Sequence, residues 1–214
     1  SLYTASVFKE QLEQAGIHVG GRVEMGRLED GAQEIMTSVS PPLSEIINWM
    51  LKESDNFYAE QIIKTLGAEL RSEGSWEKGI EVIKEFLKGA NINYGCRIVD
   101  GSGLSRKNRL SPELIVDLLK YMKSRPINDL FMSSLPVAGV DGTLKSRMGG
   151  TPAEGRLMAK TGYLEKVSCL SGYLETKNKK MVAFSMMFNN FAGRTSRVKA
   201  IQDKIGILLA NSVL

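Results

Sequence analysis

The sequence contains a single histidine, His18, and only two cysteines, Cys96 and Cys169. One imidazole cannot build a multi-histidine metal site, so a hydrolase made from this chain needs a base of another kind. His18 stands in "GIHVGG", a short alternation beside glycines, and reads as decoration on a strand edge. The cysteines lie apart in apolar contexts, "YGCRIV" and "VSCLSG", without C-x-x-C spacing. They read as small buried hydrophobes, and their spacing leaves pairing open. No apolar run approaches the roughly 20 residues that a membrane-spanning helix needs. The opening "SLYTASVFKEQLEQ" lacks the basic-then-apolar pattern of a signal peptide. Nor is either charge in large excess: 28 basic residues against 24 acidic give +4. The charges are interspersed, with no basic block and no basic–aromatic interleave, so no nucleic-acid partner is expected.

What is present describes a globular chain. Its 214 residues are 43% hydrophobic and 24% charged, enough to bury a substantial core without covalent staples. Residues 3–15 have helical spacing and end at Gly16. "IHVGGRVEMG" and "EIMTSVS" read as two short strands around an acidic turn. Ser40-Pro41-Pro42 reads as a serine cap with proline in the first helical turn. The stripe Leu43, Ile46, Ile47, Met50 and Leu51 then marks a buried helix face. That helix breaks at "ESDN" and a second continues with Ala59, Ile62, Ile63 and Leu66 inward. Ser54-Asp55-Asn56 therefore falls at a helix–helix junction, where short polar side chains cap backbone groups.

A third helix carries Trp76, Ile80, Ile83 and Leu87, and "NINYGCRIV" reads as a strand. After the loop "DGSGLSRKNRL", Ser111-Pro112 starts a helix running to about Ser124. Residues 125–154 read as irregular surface loops. "GRLMAKTG", "SCLSGYLET" and "KMVAFSMMFNN" then form an antiparallel meander joined by "YLEKV" and "KNKK". The third run is almost continuously apolar, as a strand covered on both faces would be. A last helix, about 193–212, offers Val198, Ile201, Ile205 and Leu208 to the sheet. The expected organisation of residues 1–214 is mainly helical over 40–135, then sheet plus helix over 155–214.

Taken singly, the polar motifs have plain structural readings. Ser54-Asp55-Asn56 is a helix cap, Lys160-Thr161-Gly162 a strand end, and "DGSG" a turn. "DGSG" lacks the G-K-[ST] ending of a phosphate loop. Together, S-D-N between helices and K-T-G on a C-terminal strand form two parts of the S-x-x-K, S-D-N, K-T-G set of β-lactamases and penicillin-binding proteins. Acyl transfer of this kind needs a nucleophilic hydroxyl, a nearby base and donors for the substrate. A lysine ammonium can hold a serine hydroxyl and a carboxylate by charge-assisted hydrogen bonds, and strand amides can contribute to an oxyanion hole. None of these roles requires histidine.

The longer stretches "SPPLSEIINWMLKESDNFYAEQIIKTLG", "DGSGLSRKNRLSPELIVDLL", "SLPVAGVDGTLKSRM" and "AKTGYLEKVSCLSGYL" occur in order along the chain. Together they resemble the D-alanyl-D-alanine carboxypeptidase/endopeptidase family, the class C penicillin-binding proteins of peptidase family S13. The resemblance implies an α/β (α+β) fold of β-lactamase/transpeptidase type: an antiparallel sheet with a C-terminal helix and a helical subdomain. It implies a serine acyl-enzyme of the periplasm or cell envelope that acts on peptidoglycan stem peptides, is inhibited by β-lactam antibiotics and uses no cofactor or metal. By the same resemblance Ser54 is the proton relay and Asn56 the ligand of the substrate amide. Lys160, Thr161 and Gly162 form the wall that holds the substrate carboxylate, and Arg106 neighbours the stem-peptide side chain. Asp100 to Leu104 shape their loop.

The chain departs from that pattern twice. The residue after K-T-G is usually threonine or serine in the family, where it helps bind the terminal carboxylate; here it is Tyr163. A phenol still donates a hydrogen bond, but its reach differs, and carboxypeptidase specificity is the property at stake. The S-x-x-K pattern occurs at Ser6/Lys9, Ser75/Lys78 and Ser196/Lys199. Ser75 follows S-D-N and Ser196 follows K-T-G, the wrong order, while Ser6 precedes a stretch resembling the family's return from an inserted region. The expectation is therefore a C-terminal part of the fold, without its N-terminal part or nucleophile and inactive alone, with an exposed sheet edge able to self-associate. Two rival readings are a non-catalytic peptidoglycan-binding module and a β-lactamase- or esterase-like hydrolase using Ser6 and Lys9.

Overall fold

The computed structural model describes every residue except Ser1, Leu28, Glu29, Asn93 and Tyr94. The chain divides into two compact units, Ser1–Ser40 and Pro41–Leu214. In the first, helix α1 (Leu2–Gln14) is followed by irregular chain. Gly16 ends the helix at φ +82°, a left-handed conformation that glycine adopts without a Cβ penalty. The two strands expected over 17–26 and 34–40 are not formed. Short alternating runs make a strand only with a partner ladder, and none is present among the described residues of this unit. His18 is accordingly exposed on irregular chain, not on a strand edge.

The second unit begins with α2 (Leu43–Glu53), whose N-cap is Pro42 rather than Ser40. The paired prolines hold the chain extended, Pro42 at φ −52° and ψ 145°, which places Ser40 too far upstream to cap. Helices α3 (Asn56–Arg71) and α4 (Trp76–Gly89) pack as a hairpin. Their contact is close because Gly79 lies against α3: a Cβ there would fall 1.9 Å from the Ile63 carbonyl oxygen. Side chains cap three helix starts, Asp55 for α3, Ser75 for α4 and Ser111 for α5 (Pro112–Lys123). In place of the expected strand around Cys96 there is only a bridge between Arg97 and Arg109; Asn93 and Tyr94 lie outside the described residues. The stretch read as loops contains helix α6 (Asn128–Ser134) and a 3-10 turn, Gly142–Leu144.

The meander forms as expected: β1 (Leu157–Leu164), β2 (Val167–Glu175) and β3 (Met181–Asn189) make an antiparallel sheet in chain order. Period-2 alternation assigns each face. Leu157, Ala159, Leu170, Leu174 and Phe184 face α7 (Thr195–Ala210), with Ala210 in the same cluster. Met158, Tyr173 and Ala183 face Leu119 of α5 and Met132 and Leu135 near α6. Each large side chain so buried contributes about 1.5–3 kcal/mol. The Tyr173 hydroxyl donates to the Leu119 carbonyl at 2.6 Å, and burial pushes its phenol up to about 12.

The face α7 presents differs from the expected stripe. Val198, Gln202, Gly206 and Ala210 are buried, whereas Ile201 and Leu208 are exposed. The buried face follows the four-residue spacing: a Cβ on Gly206 would lie 2.8 Å from Leu157 Cδ1, and the buried Gln202 side chain donates to the Ser168 carbonyl at 3.1 Å. Among the described residues, no helix is long and apolar enough to cross a membrane.

Candidate active site

Strand β1 is an edge strand, and alternation divides its polar residues between two faces: Lys160 and Gly162 point to the α2 side, Thr161 and Tyr163 to the α7 side. Lys160 meets the end of α2. There Ser54 occupies the C-cap position at φ 59° and ψ 47°, a left-handed conformation costing a non-glycine residue about 1–2 kcal/mol. That turn presents its hydroxyl to Lys160, whose ammonium donates to Ser54 Oγ at 2.5 Å and to the Thr161 carbonyl at 3.1 Å. Burial holds the Lys160 ammonium below the usual lysine value. Asn56 follows at the first position of α3, exposed on the same cleft.

The cleft has a volume of about 650 Å³. Ser54, Asn56, Lys160, Thr161, Gly162 and Tyr163 all line it, although Ser54 and Lys160 are 106 residues apart. Arg106 stands apart from the wall. Its guanidinium donates to the Glu165 carbonyl at 3.1 Å and lies 3.9 Å from the Glu165 carboxylate, tying the "DGSGLSR" loop to the β1–β2 turn. The loop itself is tightly organised. Asp100 accepts from the Gly103 and Ser105 amides and from the Asn108 side chain. Glu60 of α3 accepts from the Gly101 amide, the Ser102 amide and hydroxyl, and Trp76 Nε1. Burial pushes the Glu60 carboxyl up, but the hydrogen bonds together outweigh it and bring the value to about 2. Gly101 needs its missing side chain, because a Cβ would meet the Ala59 carbonyl at 2.4 Å.

Thr143, Arg147 and Lys199 also line the wall, and Lys52 and Asp141 support it from behind. Thr143 Oγ1 accepts from Thr161 Oγ1 at 3.0 Å, from a turn that begins after Asp141. Asp141 accepts from Lys52 Nζ and the Val137 amide, at 2.7 and 2.8 Å, and Lys52 also reaches the Leu135 carbonyl. Three hydrogen bonds, Lys160 to Ser54, Thr161 to Thr143 and Lys52 to Asp141, together with the short chain segments between these residues close a ring. Arg147 and Lys199 add positive charge to the wall. Thr143 lies within "VAGVDGTL", so its stretch was recognisable, but nothing in its residue type signalled contact with Thr161.

The remaining candidates have other roles. Both cysteines are free. Burial pushes the Cys169 thiol up, which keeps it protonated and poorly nucleophilic. Ser75 caps α4, and Lys78 pairs with Glu81. Lys9 bonds the Gly21 carbonyl at 2.7 Å and lies 3.8 Å from Glu13.

Residues 1–212 match the D-Ala-D-Ala carboxypeptidase 3 (S13) family. The chain belongs to the S13 family. Its S13 relatives include a D-alanyl-D-alanine carboxypeptidase of Actinomadura sp. (strain R39), 38% identical over 95% of this chain and 39% of that protein. Penicillin binding protein 4 from Haemophilus influenzae superposes with a TM-score of 0.86 at 28% identity, covering 98% of this chain and 49% of that one. The same protein complexed with a novel beta-lactam gives 0.83 at 29%, covering 94% and 49%. The S13 chain described here therefore spans about two-fifths to one half of the length of these relatives. Its mixed helical and antiparallel-sheet fold is that of the S13 penicillin-binding proteins.

Proposed function

We propose that the cleft is part of the acyl-transfer site of a serine-type D-Ala-D-Ala carboxypeptidase/endopeptidase acting on peptidoglycan stem peptides. The observation that carries this reading is the 2.5 Å contact between Lys160 and Ser54 across the cleft. In the proposed reaction a nucleophilic serine oxygen bonds to the carbonyl carbon of the penultimate D-alanine, and the C–N bond to the terminal residue breaks. The serine's proton passes by way of Ser54 to the leaving amine. Water then hydrolyses the acyl-serine. Lys160 polarises Ser54, Asn56 holds the substrate amide, and Thr161, Gly162 and Tyr163 line the carboxylate end. Arg106 acts from the rim, toward the stem-peptide side chain.

The nucleophile in this proposal is a serine outside residues 1–214, with the lysine of its S-x-x-K motif as base. Support comes from the span of the match to the relatives, and from the structural occupation of Ser75 and of Lys9. β-Lactams would acylate the same serine, and the protein would work in the periplasm or cell envelope. Residues 1–214 would form the C-terminal portion of the transpeptidase-like domain, self-associating through the free edge of β3.

Fluorescent penicillin tests the reading. It should label covalently a protein that carries this chain with the S-x-x-K segment of its relatives, and leave residues 1–214 alone unlabelled. Labelling of residues 1–214 alone would refute the division of the site, and would turn attention to Ser6. Absence of labelling in the longer protein would favour a non-catalytic peptidoglycan-binding module.

A further inference from the structure

Three cationic side chains line the cleft, Arg147, Lys160 and Lys199, and they are unequally committed. Lys160 is engaged by Ser54 and the Thr161 carbonyl. The Arg147 guanidinium is held by Asp203, at 2.9 and 2.6 Å, and by Gln202 at 3.2 Å. Lys199 takes part in none of the ion pairs found among the described residues. Its ammonium instead lies 5.5 Å from the centre of the Tyr163 ring, near the outer limit of a cation–π contact. Asp55, the carboxylate on the same wall, uses an oxygen to cap α3.

Geometry separates Lys199 from Lys160. Tyr163 and Thr161 are on the α7 face of β1, while Lys160 is on the other. The Thr143 hydroxyl already accepts from Thr161, so its own proton remains available on that α7 side. A phenol in the position after K-T-G is much longer than a threonine hydroxyl. An anion received by that phenol would lie farther from β1 and nearer Lys199, whose ammonium is 5.5 Å from the Tyr163 ring centre, than one received by a threonine hydroxyl.

We infer that Lys199, with Tyr163, forms a carboxylate subsite on the α7 side of the cleft, and that Lys199 determines the preference for ligands ending in a free carboxylate. The inference rests on the acyl-transfer reading for its biological substrate, a peptide with a C-terminal carboxylate. Its physical basis is independent of that chemistry: an uncompensated ammonium and a phenolic donor face the same space in a cleft with excess positive charge. Charge-assisted hydrogen bonds of this type are about twice as strong as neutral ones.

The test uses N-acetyl-D-alanine and its C-terminal amide, which have no D-Ala-D-Ala bond to cleave. Both are titrated into the protein while the Lys199 side chain and Tyr163 ring are followed by NMR. The free acid should bind about tenfold more tightly than the amide, a difference expected for one charge-assisted contact. Lys199→Gln should abolish that preference and Lys199→Arg should retain it. Lys199 is exposed, so both variants should keep the wild-type fold. A preference surviving in Lys199→Gln, or absent from the wild-type protein, overturns the inference. Penicillin labelling judges the acyl-serine reading separately, because a protein that binds the acid through Lys199 but is never acylated would retain the subsite and lose the proposed reaction.

Discussion

The Lys160 ammonium is hydrogen-bonded to the Ser54 hydroxyl at 2.5 Å, joining an edge strand to a left-handed helix cap. Both residues hold costly states: a partly desolvated charge and a strained backbone.

Burial lowers the Lys160 pKa from the usual 10.5. A cationic group with a depressed folded-state pKa destabilises the protein while charged in both states, below that lowered value. The penalty fades as pH rises towards the unfolded value. Lys160→Met should therefore raise the thermal midpoint at pH 7, by about 2–4 °C for each ~1 kcal/mol recovered in a chain of this size. The gain should shrink at strongly alkaline pH. In a protein carrying the S-x-x-K segment, the same variant should slow penicillin acylation by roughly 10²–10⁴. Calorimetry across pH and acylation kinetics measure the two effects.

Glu60 gives the opposite sign. Its carboxyl, at about 2 in the folded protein, contributes stability that is complete above the ordinary carboxyl range and is lost as pH falls towards 2. Glu60→Gln should flatten the acid limb of the stability curve. It should also speed hydrogen exchange at the Gly101 and Ser102 amides, which Glu60 now accepts from. An unchanged acid limb would remove Glu60 from this role.

Two glycines of α4 should respond in opposite directions. Gly79→Ala forces a Cβ to within 1.9 Å of a backbone oxygen of α3 and should cost about 3 kcal/mol or more. Gly89 has nothing within 4 Å of its virtual Cβ, and Gly89→Ala should stabilise by about 0.5–1 kcal/mol. Urea denaturation of the two variants checks both values.

Much of this architecture is legible in the sequence, for identifiable reasons. The meander shows itself through three apolar runs with polar turns, and Ser75 and Ser111 announce their helices because a cap is a local hydrogen bond. Ser54-Asp55-Asn56 and Lys160-Thr161-Gly162 are recognisable as tripeptides. What stayed hidden depends on tertiary contact. The face of α7 is chosen by how closely Gly206 approaches Leu157. The strands expected before Ser40 fail for want of a partner. Thr143 carries an ordinary side chain, and Lys199 shows only as a formal S-x-x-K match in the wrong order; folding is what brings them to Thr161 and Tyr163.

Asp141 does not line the cleft, yet it faces Lys52, whose side chain is 14% exposed against 41% for its own. Asp141→Asn should cost about 2 kcal/mol, less than the 3–5 typical of fully buried pairs because this carboxylate is partly solvated. In the longer protein it should lower the acylation rate at saturating penicillin more than it weakens initial binding, since it acts by positioning Thr143. Equal loss in both terms would assign it a merely structural part.

The ring from Lys52 to Asp141 behaves as a closed linkage whose bars are a helix end, a strand edge and a tight turn. In such a linkage no joint moves alone. A ligand that drew the Lys160 ammonium off Ser54 would open this linkage at one corner, while the corner where Asp141 accepts from the Val137 amide would still be closed by its own hydrogen bonds. Asp141 thus belongs to the support of the cleft without lining it.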